Sequence, residues 1–312
     1  MAAALTLPAL RHAVGQPFDL DDDAAYACWR AWKLAHRPTR PEELVVDLSD
    51  PHALTTAEHD ALLWRIACSG IALYRSRLRG EDRGLPRRLG AQLGIEQLDA
   101  NWLADEDGIS NIAVSERSDT AVGRGGFIPY TDRPIRWHTD GYYHPSQRLI
   151  RSMILHCVRP ARSGGVNGLL DPELAYIALR DQSPEHVRAL MQPDAMAIPA
   201  REDETGIARA AQSGPVFSVD AAGRLHLRYT ARTRSIAWKD DVATRAAAAA
   251  LEALLADTPW VHRVRLEPGM GMVGHNVLHD RSAFIDDPAA PRLLYRARFV
   301  DRIRTPWDDA WR

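Results

Sequence analysis

The chain has 312 residues, of which 46% are hydrophobic, so it can bury a sizeable core and is too apolar to be a disordered protein. Its formal net charge of -2, from 39 basic and 41 acidic residues, gives no electrostatic reason to expect nucleic acid or an anionic membrane as a partner. The cysteines, Cys28, Cys68 and Cys157, are few, odd in number and far apart, which indicates neither a disulfide framework nor a CxxC metal site. No apolar run reaches the roughly 18 residues of a membrane span, and the N-terminus lacks a signal-peptide pattern, so we expect a cytoplasmic location.

The sequence predicts one structural unit with a short N-terminal extension. Residues 1–54 are rich in proline and, apart from a helical pattern near residues 24–34, predict an irregular segment that packs on the core. Residues 55–312 are predicted to form the main domain, because no linker-like stretch divides them.

Two helices and a strand are predicted after this boundary. Thr55 fits a helix N-cap because Glu58 follows three residues later, which is the spacing of a capping box. Gly70 is typical of the position just past a helix end, and the sequence IALYRS behind it alternates like a strand. A second helix is predicted over residues 84–93.

From about Ile112 the sequence changes to short apolar segments separated by turn residues, which favours an antiparallel sandwich or barrel over a parallel α/β sheet. Examples are SNIAVSE, SMILHCV, PVFSVD, RLHLRYT, VHRVRL, GMVGHNVLH and LLYRARFVD. A strong helix over Asp241–Asp257 interrupts them, because this segment is rich in alanine and leucine. The prediction is a mainly β protein with flanking helices.

The motif WHTDGYY contains a candidate metal-binding pair. His138 and Asp140 are two residues apart, so on a strand their side chains point to the same face. A third ligand must come from elsewhere: His279 in NVLHDRSAF is preferred, and His275, four residues earlier, is a rival. Most single histidines are packed residues rather than ligands, so the case rests on the set. Two histidines and one carboxylate on one face of an octahedron leave three open positions, which is the facial triad of non-haem Fe(II) oxygenases.

An arginine follows the preferred third ligand at a spacing that suits an acidic cosubstrate. Arg292 lies 13 residues after His279 (292 − 279 = 13), on the next predicted strand. The distal carboxylate of 2-oxoglutarate could receive two parallel hydrogen bonds from such a guanidinium. Arg296, four residues further on, would point to the same face of a strand. The alternative is that both arginines are solvated strand residues, and spacing alone does not choose between the two interpretations.

Five motifs follow one another between residues 138 and 294: His138-Thr139-Asp140, LHCVRPARSGGVN (155–167), RYT (228–230), VLHDRSAF (277–284) and Arg292-Leu293-Leu294. In this order they resemble the taurine dioxygenase (TauD/TfdA) family of Fe(II)/2-oxoglutarate enzymes, especially its γ-butyrobetaine hydroxylase-like branch, and the resemblance covers most of the chain, from about Thr55 to Asp301. Three departures from the family pattern are Asp280 where glycine is frequent, Thr230 in place of asparagine, and GMVGHN before the distal histidine.

The resemblance implies a double-stranded β-helix, also called a jelly roll and similar to the cupin fold, with Fe(II), 2-oxoglutarate and O₂ as cofactor and cosubstrates. Carried onto this chain, it implies that iron is bound by three residues and 2-oxoglutarate by up to three more. The iron ligands would be His138, Asp140 and His279; Arg292 would bind the distal carboxylate, Asn167 would steady the same cosubstrate, and Arg296 would lie near the cosubstrate or the substrate.

The predicted function is that of a dioxygenase that hydroxylates an unactivated C–H bond of a small organic acid or amine, with release of succinate and CO₂. Two alternatives are a metal-binding jelly-roll protein without oxygenase turnover and a Zn-dependent hydrolase. The expected partner is a small-molecule substrate, with neither nucleic acid nor membrane, and a homo-oligomer is compatible with the sequence.

One or both of two polar segments are predicted to be mobile without substrate and to order when it binds. Pro184–Arg209 and Arg117–Arg133 flank the strands that would hold the metal ligands, and the second has few apolar residues to fix it. Closure would protect the oxidation from water.

Overall fold

The computed structural model describes residues 15–99, 107–114, 128–203, 206–232, 236–306 and 308. Its helices in these ranges are α1 (Asp23–His36), α2 (Thr56–Ser69), α3 (Leu85–Gln92), α4 (Pro172–Gln182), α5 (Pro184–Leu190) and α6 (Val242–Ala256), with 3-10 helices at Pro41–Leu44, Ile128–Tyr130 and Ser146–Arg148. The strands are β1 (Val45–Asp47), β2 (Ile71–Arg75), β3 (Ser110–Ile112), β4 (Ile135–His138), β5 (Ser152–Arg159), β6 (Ser163–Gly164), β7 (Asn167–Leu170), β8 (Met196–Ile198), β9 (Arg201–Asp203), β10 (Gly206–Arg209), β11 (Gln212–Gly214), β12 (Phe217–Val219), β13 (Leu225–Leu227), β14 (Ala237–Trp238), β15 (His262–Val264), β16 (Met270–His275), β17 (Leu278–Arg281), β18 (Phe284–Ile285) and β19 (Leu293–Phe299). None of the helices in these ranges has the length and apolarity that crossing a bilayer requires.

The ends of α2 follow from its capping residues. The Thr55 hydroxyl accepts a hydrogen bond from the backbone N–H of Glu58, and the Glu58 carboxylate accepts one from the N–H of Thr55 at 2.7 Å. Gly70 ends the helix with a φ of 73°, a left-handed conformation that suits glycine. The predicted capping box and terminator are therefore confirmed, and β2 starts directly after them.

Two sheets enclose the core of the molecule. The larger has the strand order β1-β2-β16-β5-β19-β3 and the smaller the order β15-β7-β17-β4. Between the sheets, Leu155, Met272 and Leu294 of the larger sheet pack in one apolar cluster with Leu169 and Val264 of the smaller one. Because side chains alternate between the faces of a strand, these positions point inward together. The predicted jelly roll is confirmed.

Helices cover the outer faces of both sheets. On the larger sheet, Ile154 and Tyr295 pack with Leu62 of α2 and Leu89 of α3. On the smaller sheet, Trp137 and Leu278 pack with residues of α4, α5 and α6. The residues on either side of Trp137 and Leu278 along their strands, which include two of the candidate metal ligands, therefore point to the interior.

The N-terminal segment is more regular than its sequence predicts. Its described part holds α1, whose Trp29 lies in the apolar cluster under α4, and β1, which pairs in parallel with β2 through Val45 and Leu73. A three-residue strand is too short for hydrophobic alternation to indicate it, and its pairing depends on a partner that is distant in sequence. The division of the chain at residue 55 remains a prediction.

The predicted closing segment Pro184–Arg209 divides into two parts. Its first part, α5 and β8, lies in the core, where Val187, Leu190 and Met196 are fully buried. Its second part is the β9–β10 hairpin. A movable element of this segment can therefore include the hairpin but not α5.

Candidate active site

Two of the predicted ligands face each other across a strand pair. His138 ends β4 and His279 lies on β17, and the two residues are direct register partners in the antiparallel pairing. Their ring centroids are 4.2 Å apart. Asp140 follows the end of β4 and places its Oδ1 3.8 Å from Nε2 of His138. One ligand atom from each of the three residues lies within 4.8 Å of the others, which is a spacing that a single metal ion can bridge.

Backbone carbonyls orient both imidazole rings. Nδ1 of His138 lies 2.9 Å from the carbonyl oxygen of Arg136, and Nδ1 of His279 lies 2.9 Å from that of Val277. A carbonyl can only accept, so each Nδ1 is the protonated nitrogen and each Nε2 keeps its lone pair. This arrangement is the usual one for metal-ligating histidines.

A side-chain amide holds the chain around Asp140. Asn276 accepts a hydrogen bond from the Asp140 backbone N–H at 2.8 Å and donates to the Asp140 carbonyl at 2.7 Å. The same amide donates to the Ile150 carbonyl at 2.9 Å. Gly141, with a φ of 67°, makes the turn that follows, and a Cβ there would lie 2.5 Å from a side-chain atom of Ile150. Asn276 was not identified from the sequence, although it lies three residues before His279.

The electrostatic environment of His138 and Asp140 suits the binding of a cation. Burial, helped by His279, lowers the pKa of His138 to about 3. Burial alone would raise the pKa of Asp140, but Arg296 and then Arg298 outweigh it and hold that pKa below its usual value. Oδ2 of Asp140 is buried and meets no hydrogen-bond donor among the described residues. A neutral His138 and a charged Asp140 are the protonation states that metal binding requires.

The rival histidine lies elsewhere. His275 ends β16, and its Nε2 lies 3.1 Å from the carbonyl oxygen of Ile303. Its ring lines a cavity of about 60 Å³, between α1 and the chain that follows β19, to which Lys33 and Arg302 also contribute. The triad residues do not line this cavity, so the geometry favours His279 over His275 as the third ligand.

The predicted cosubstrate residues line a second cavity together. Arg292 and Asn167 share it with Cys157, Leu266 and Leu294. The Arg292 side chain is only 4% exposed, lies over the ring of Phe284, and has a buried Nη1 without a hydrogen-bond partner in the described chain. Burial lowers its pKa to about 10, so it still carries a charge at neutral pH. The alternative that Arg292 is a solvated strand residue is wrong.

Arg296 points to the metal-binding residues rather than to this cavity. Its Nη1 lies 3.3 Å from Oδ1 of Asp140, and its Nε is buried without a described partner. It is therefore placed next to any metal ion held by the triad, between the Arg292 cavity and the opposite end of β19.

That opposite end holds a network that sequence reasoning missed. Arg298, two residues beyond Arg296, donates to the carboxylate of Asp99 at 2.6 Å and to the hydroxyl of Tyr143 at 3.3 Å. His144 and Arg148 contact the same carboxylate. The two-residue spacing from Arg296 was the available signal, because it puts Arg298 on the inner face.

The fold and the inward-facing triad place the protein in the class of jelly-roll non-haem iron oxygenases. A family model described as "Taurine catabolism dioxygenase TauD, TfdA family" matches residues 35–298, and the chain belongs to this family. It is therefore a dioxygenase that uses Fe(II), 2-oxoglutarate and O₂, as the sequence motifs predicted.

Two curated relatives carry the same name. The chain is 34% identical over 282 residues to a uridine-5'-phosphate dioxygenase of an Amycolatopsis species, which covers 84% of this chain and 98% of the relative. It is 31% identical over 202 residues to a uridine-5'-phosphate dioxygenase of a Streptomyces species, covering 61% of this chain and 72% of the relative.

Solved structures share the fold at lower sequence identity. The non-haem iron oxygenase OrfP in complex with Fe and α-ketoglutaric acid has a TM-score of 0.58 and 20% identity, covering 79% of this chain and 80% of its own. Asparagine oxygenase in complex with Fe(II), 3-hydroxyasparagine and succinate has a TM-score of 0.55 and 17% identity, covering 93% of this chain and 87% of its own.

Proposed function

We propose that the protein binds Fe(II) through His138, Asp140 and His279, binds 2-oxoglutarate through Arg292 and Asn167, and oxidises uridine 5'-phosphate or a closely related nucleotide. The substrate class comes from the Amycolatopsis relative, whose similarity extends over nearly its whole length. This narrows the small-molecule substrate to a phosphate ester, in place of the organic acid or amine that the sequence motifs suggested.

The observation that supports the cosubstrate site is the buried Nη1 of Arg292, which has no hydrogen-bond partner among the described residues and lies in a cavity shared with Asn167. An isolated buried cation is unfavourable unless a counter-charge reaches it, and a carboxylate of a bound diacid supplies one. The other end of a 2-oxo diacid would then extend along the inner wall toward the triad.

The residues of the site bind the metal and the cosubstrate, orient the ligand side chains and shield them from water. When bound, iron and 2-oxoglutarate together supply the oxidising power for a C–H bond, with release of succinate and CO₂. The carbonyls of Arg136 and Val277 fix the two imidazoles, and Asn276 fixes the chain at Asp140, so that the three side chains face the interior, where they would hold the iron. Arg296 balances the charge of Asp140 and limits the room for water beside it.

The test is coupled turnover. Purified protein with Fe(II), 2-oxoglutarate and O₂ should form succinate faster when uridine 5'-phosphate is added, and the nucleotide product should differ in mass from the substrate. Uridine, cytidine 5'-phosphate and free amino acids serve as comparison compounds. If an amino acid stimulates succinate formation and no nucleotide does, the substrate is not a nucleotide.

Metal substitution addresses the two alternatives. Succinate formation with Fe(II) and none with Zn(II) is expected. Hydrolysis of the nucleotide by the Zn(II) protein, without 2-oxoglutarate, would favour the hydrolase; binding of metal with no turnover of any compound would favour a non-catalytic protein.

A further inference from the structure

We propose that Phe284 is a positioning residue for the cosubstrate: its ring holds the Arg292 guanidinium at the place where the distal carboxylate of 2-oxoglutarate would bind. This inference rests on the proposed binding of 2-oxoglutarate by Arg292, and it adds the residue that keeps the arginine in position. It depends on three observations, which are the few polar contacts of the Arg292 side chain, the contacts of the Phe284 ring, and the glycines that bring the two side chains together.

The side chain of Arg292 has little polar support from the protein. Its backbone N–H donates to Oδ1 of Asp286 at 2.7 Å, which fixes the main chain just ahead of β19. Within the described residues, however, no carboxylate forms an ion pair with its guanidinium, and its buried Nη1 has no hydrogen-bond partner. A long side chain has many rotamers, so a contact of another kind must select the one that faces the cavity.

An aromatic ring supplies this contact. The guanidinium carbon of Arg292 lies over the Phe284 ring, 4.9 Å from its centroid. The face of an aromatic ring attracts a cation, and the attraction is stronger where water is excluded. Both residues are buried, with 4% of Arg292 and 6% of Phe284 exposed. The ring therefore stabilises one position of the guanidinium without using any of the N–H donors that a carboxylate needs.

Arg281 fixes the position of the same ring. Its guanidinium carbon lies 4.7 Å from the Phe284 centroid, and Arg281 itself donates to the carbonyl of Thr131 at 2.7 Å. The backbone N–H of Phe284 donates to the carbonyl of the next residue, Asp132, at 3.1 Å. Side chain and main chain of Phe284 are thus both held, and Arg292 packs against a fixed surface.

Two glycines bring the ring and the arginine together beside the cavity. Gly164 has a φ of 74° and pairs with Phe284 between β6 and β18. A Cβ on Gly164 would lie 2.2 Å from the carbonyl oxygen of Ala283, so only glycine allows this close approach. A Cβ on Gly165 would lie 3.7 Å from Cβ of Phe284 and 3.8 Å from Nε of Arg292. The two side chains therefore meet at Gly165, which lines the cavity.

Phe284 supports the arginine from behind. Arg292, Asn167 and Gly165 line the cavity, whereas Phe284 is not among the described residues that do so. Bound 2-oxoglutarate would therefore contact the arginine and not the ring. A change at Phe284 should alter the affinity for the distal carboxylate, and it should leave the metal-binding end of the cosubstrate unaffected.

The experiment measures calorimetric binding to the Fe(II) protein without oxygen, for 2-oxoglutarate and for 2-oxopentanoate, which has a methyl group in place of the distal carboxylate. Phe284→Leu should bind 2-oxoglutarate on the order of tenfold more weakly than the unchanged protein does, and 2-oxopentanoate equally well. Phe284→Tyr keeps an aromatic face and should restore most of the affinity. In turnover, the leucine variant should have a raised KM for 2-oxoglutarate and an unchanged kcat.

The matched control is Phe217→Leu, which makes the same exchange at a fully buried ring of β12 that packs against Tyr176. It should lower the melting temperature and leave both affinities unchanged. Phe284→Met replaces the leucine variant if that protein does not fold. If the aliphatic variant binds 2-oxoglutarate as tightly as the unchanged protein, or loses the same factor for both acids, the ring does not act through Arg292 and the inference is overturned.

Arg292→Ala separates this result from the proposed function. If Arg292→Ala weakens the binding of 2-oxoglutarate and the aliphatic Phe284 variant does not, Arg292 binds the cosubstrate without help from the ring, and only this inference fails. If Arg292→Ala leaves the affinity for 2-oxoglutarate unchanged, the proposed cosubstrate site is wrong, and the role of Phe284 fails with it.

Discussion

At the scale of single residues, the iron content of variants distinguishes the third ligand His279 from the alternative His275. His138→Ala, Asp140→Ala and His279→Ala should each abolish 2-oxoglutarate consumption, because each removes one of three ligand atoms that converge on one point. His275→Ala should keep iron and most of the turnover, since its ring lies beside Ile303. Loss of iron from the His275 variant and retention in the His279 variant would reverse the assignment.

Arg292→Ala should raise the apparent KM for 2-oxoglutarate while iron affinity stays nearly unchanged. Removing one partner of a buried charge pair costs roughly 2–5 kcal/mol, or a factor of about 30 or more. Arg159→Ala is the control, because Arg159 is the register partner of Leu293 on the neighbouring strand but pairs with Glu81 at the surface. An unaltered KM in the Arg292 variant would shift attention to Arg296.

Asn276→Ala should weaken iron binding without removing a ligand. The amide joins the chain at Asp140 to the chain at Ile150, and loss of such a supporting contact typically lowers metal affinity by about 10- to 100-fold. Iron titration of the variant, followed by its melting temperature at saturating iron, separates this effect from simple unfolding. Equal iron affinity in the variant and the unchanged protein would limit Asn276 to a structural role.

At the scale of elements, the hairpin and α5 should differ in hydrogen exchange. The β9–β10 hairpin should gain protection when substrate binds, since it is the part of the predicted closing segment that can move. Helix α5 should be protected with and without ligand, because Val187 and Leu190 are buried in the core. Strong and equal protection of the hairpin in both states would rule out its closure over the substrate.

The second predicted closing segment is only partly described. Residues 115–127 lie outside the described ranges, so the prediction for most of Arg117–Arg133 stays as it was made. Hydrogen bonds fix the described end of the segment, because Arg281 of β17 donates to the carbonyls of Thr131 and Arg133. Residues 131–133 are thus fixed to the same strand that supplies His279.

The elements also show which features a sequence can indicate. The pair His138 and Asp140 was recognisable from its motif, although β4 ends at His138 and Asp140 lies in the turn that follows, so a shared strand face does not explain it. The α2 capping box was predictable because it is local. Asn276 and Arg298 were not, because their partners lie 136 and 199 residues away along the chain. Contacts of that range depend on the register of several strands, which no short motif encodes.

At the scale of the whole molecule, stability should fall as the pH drops below about 6.5. Burial lowers the pKa of His156 to about 4 and, with Arg151, that of His226 to about 3. Their folded-state pKa values lie below the unfolded value, so the unfolded chain takes up protons first and the stability present above pH 6.5 is lost on acidification. Urea unfolding of the metal-free protein at pH 7.5 and pH 5 measures this, and His156→Gln should reduce the difference. Equal stability at both pH values would contradict the buried, neutral state of these rings.

The register pairing of His138 with His279 has a consequence for how the protein is made. The two residues are 141 positions apart (279 − 138 = 141), so β17 leaves the ribosome long after β4. A nascent chain that has produced β4 offers one imidazole and one carboxylate, without the strand that positions them. The proposed iron site could therefore form only after these 141 further residues have been made, and a chain that stops before β17 would not hold a redox-active ion where it could damage the chain itself.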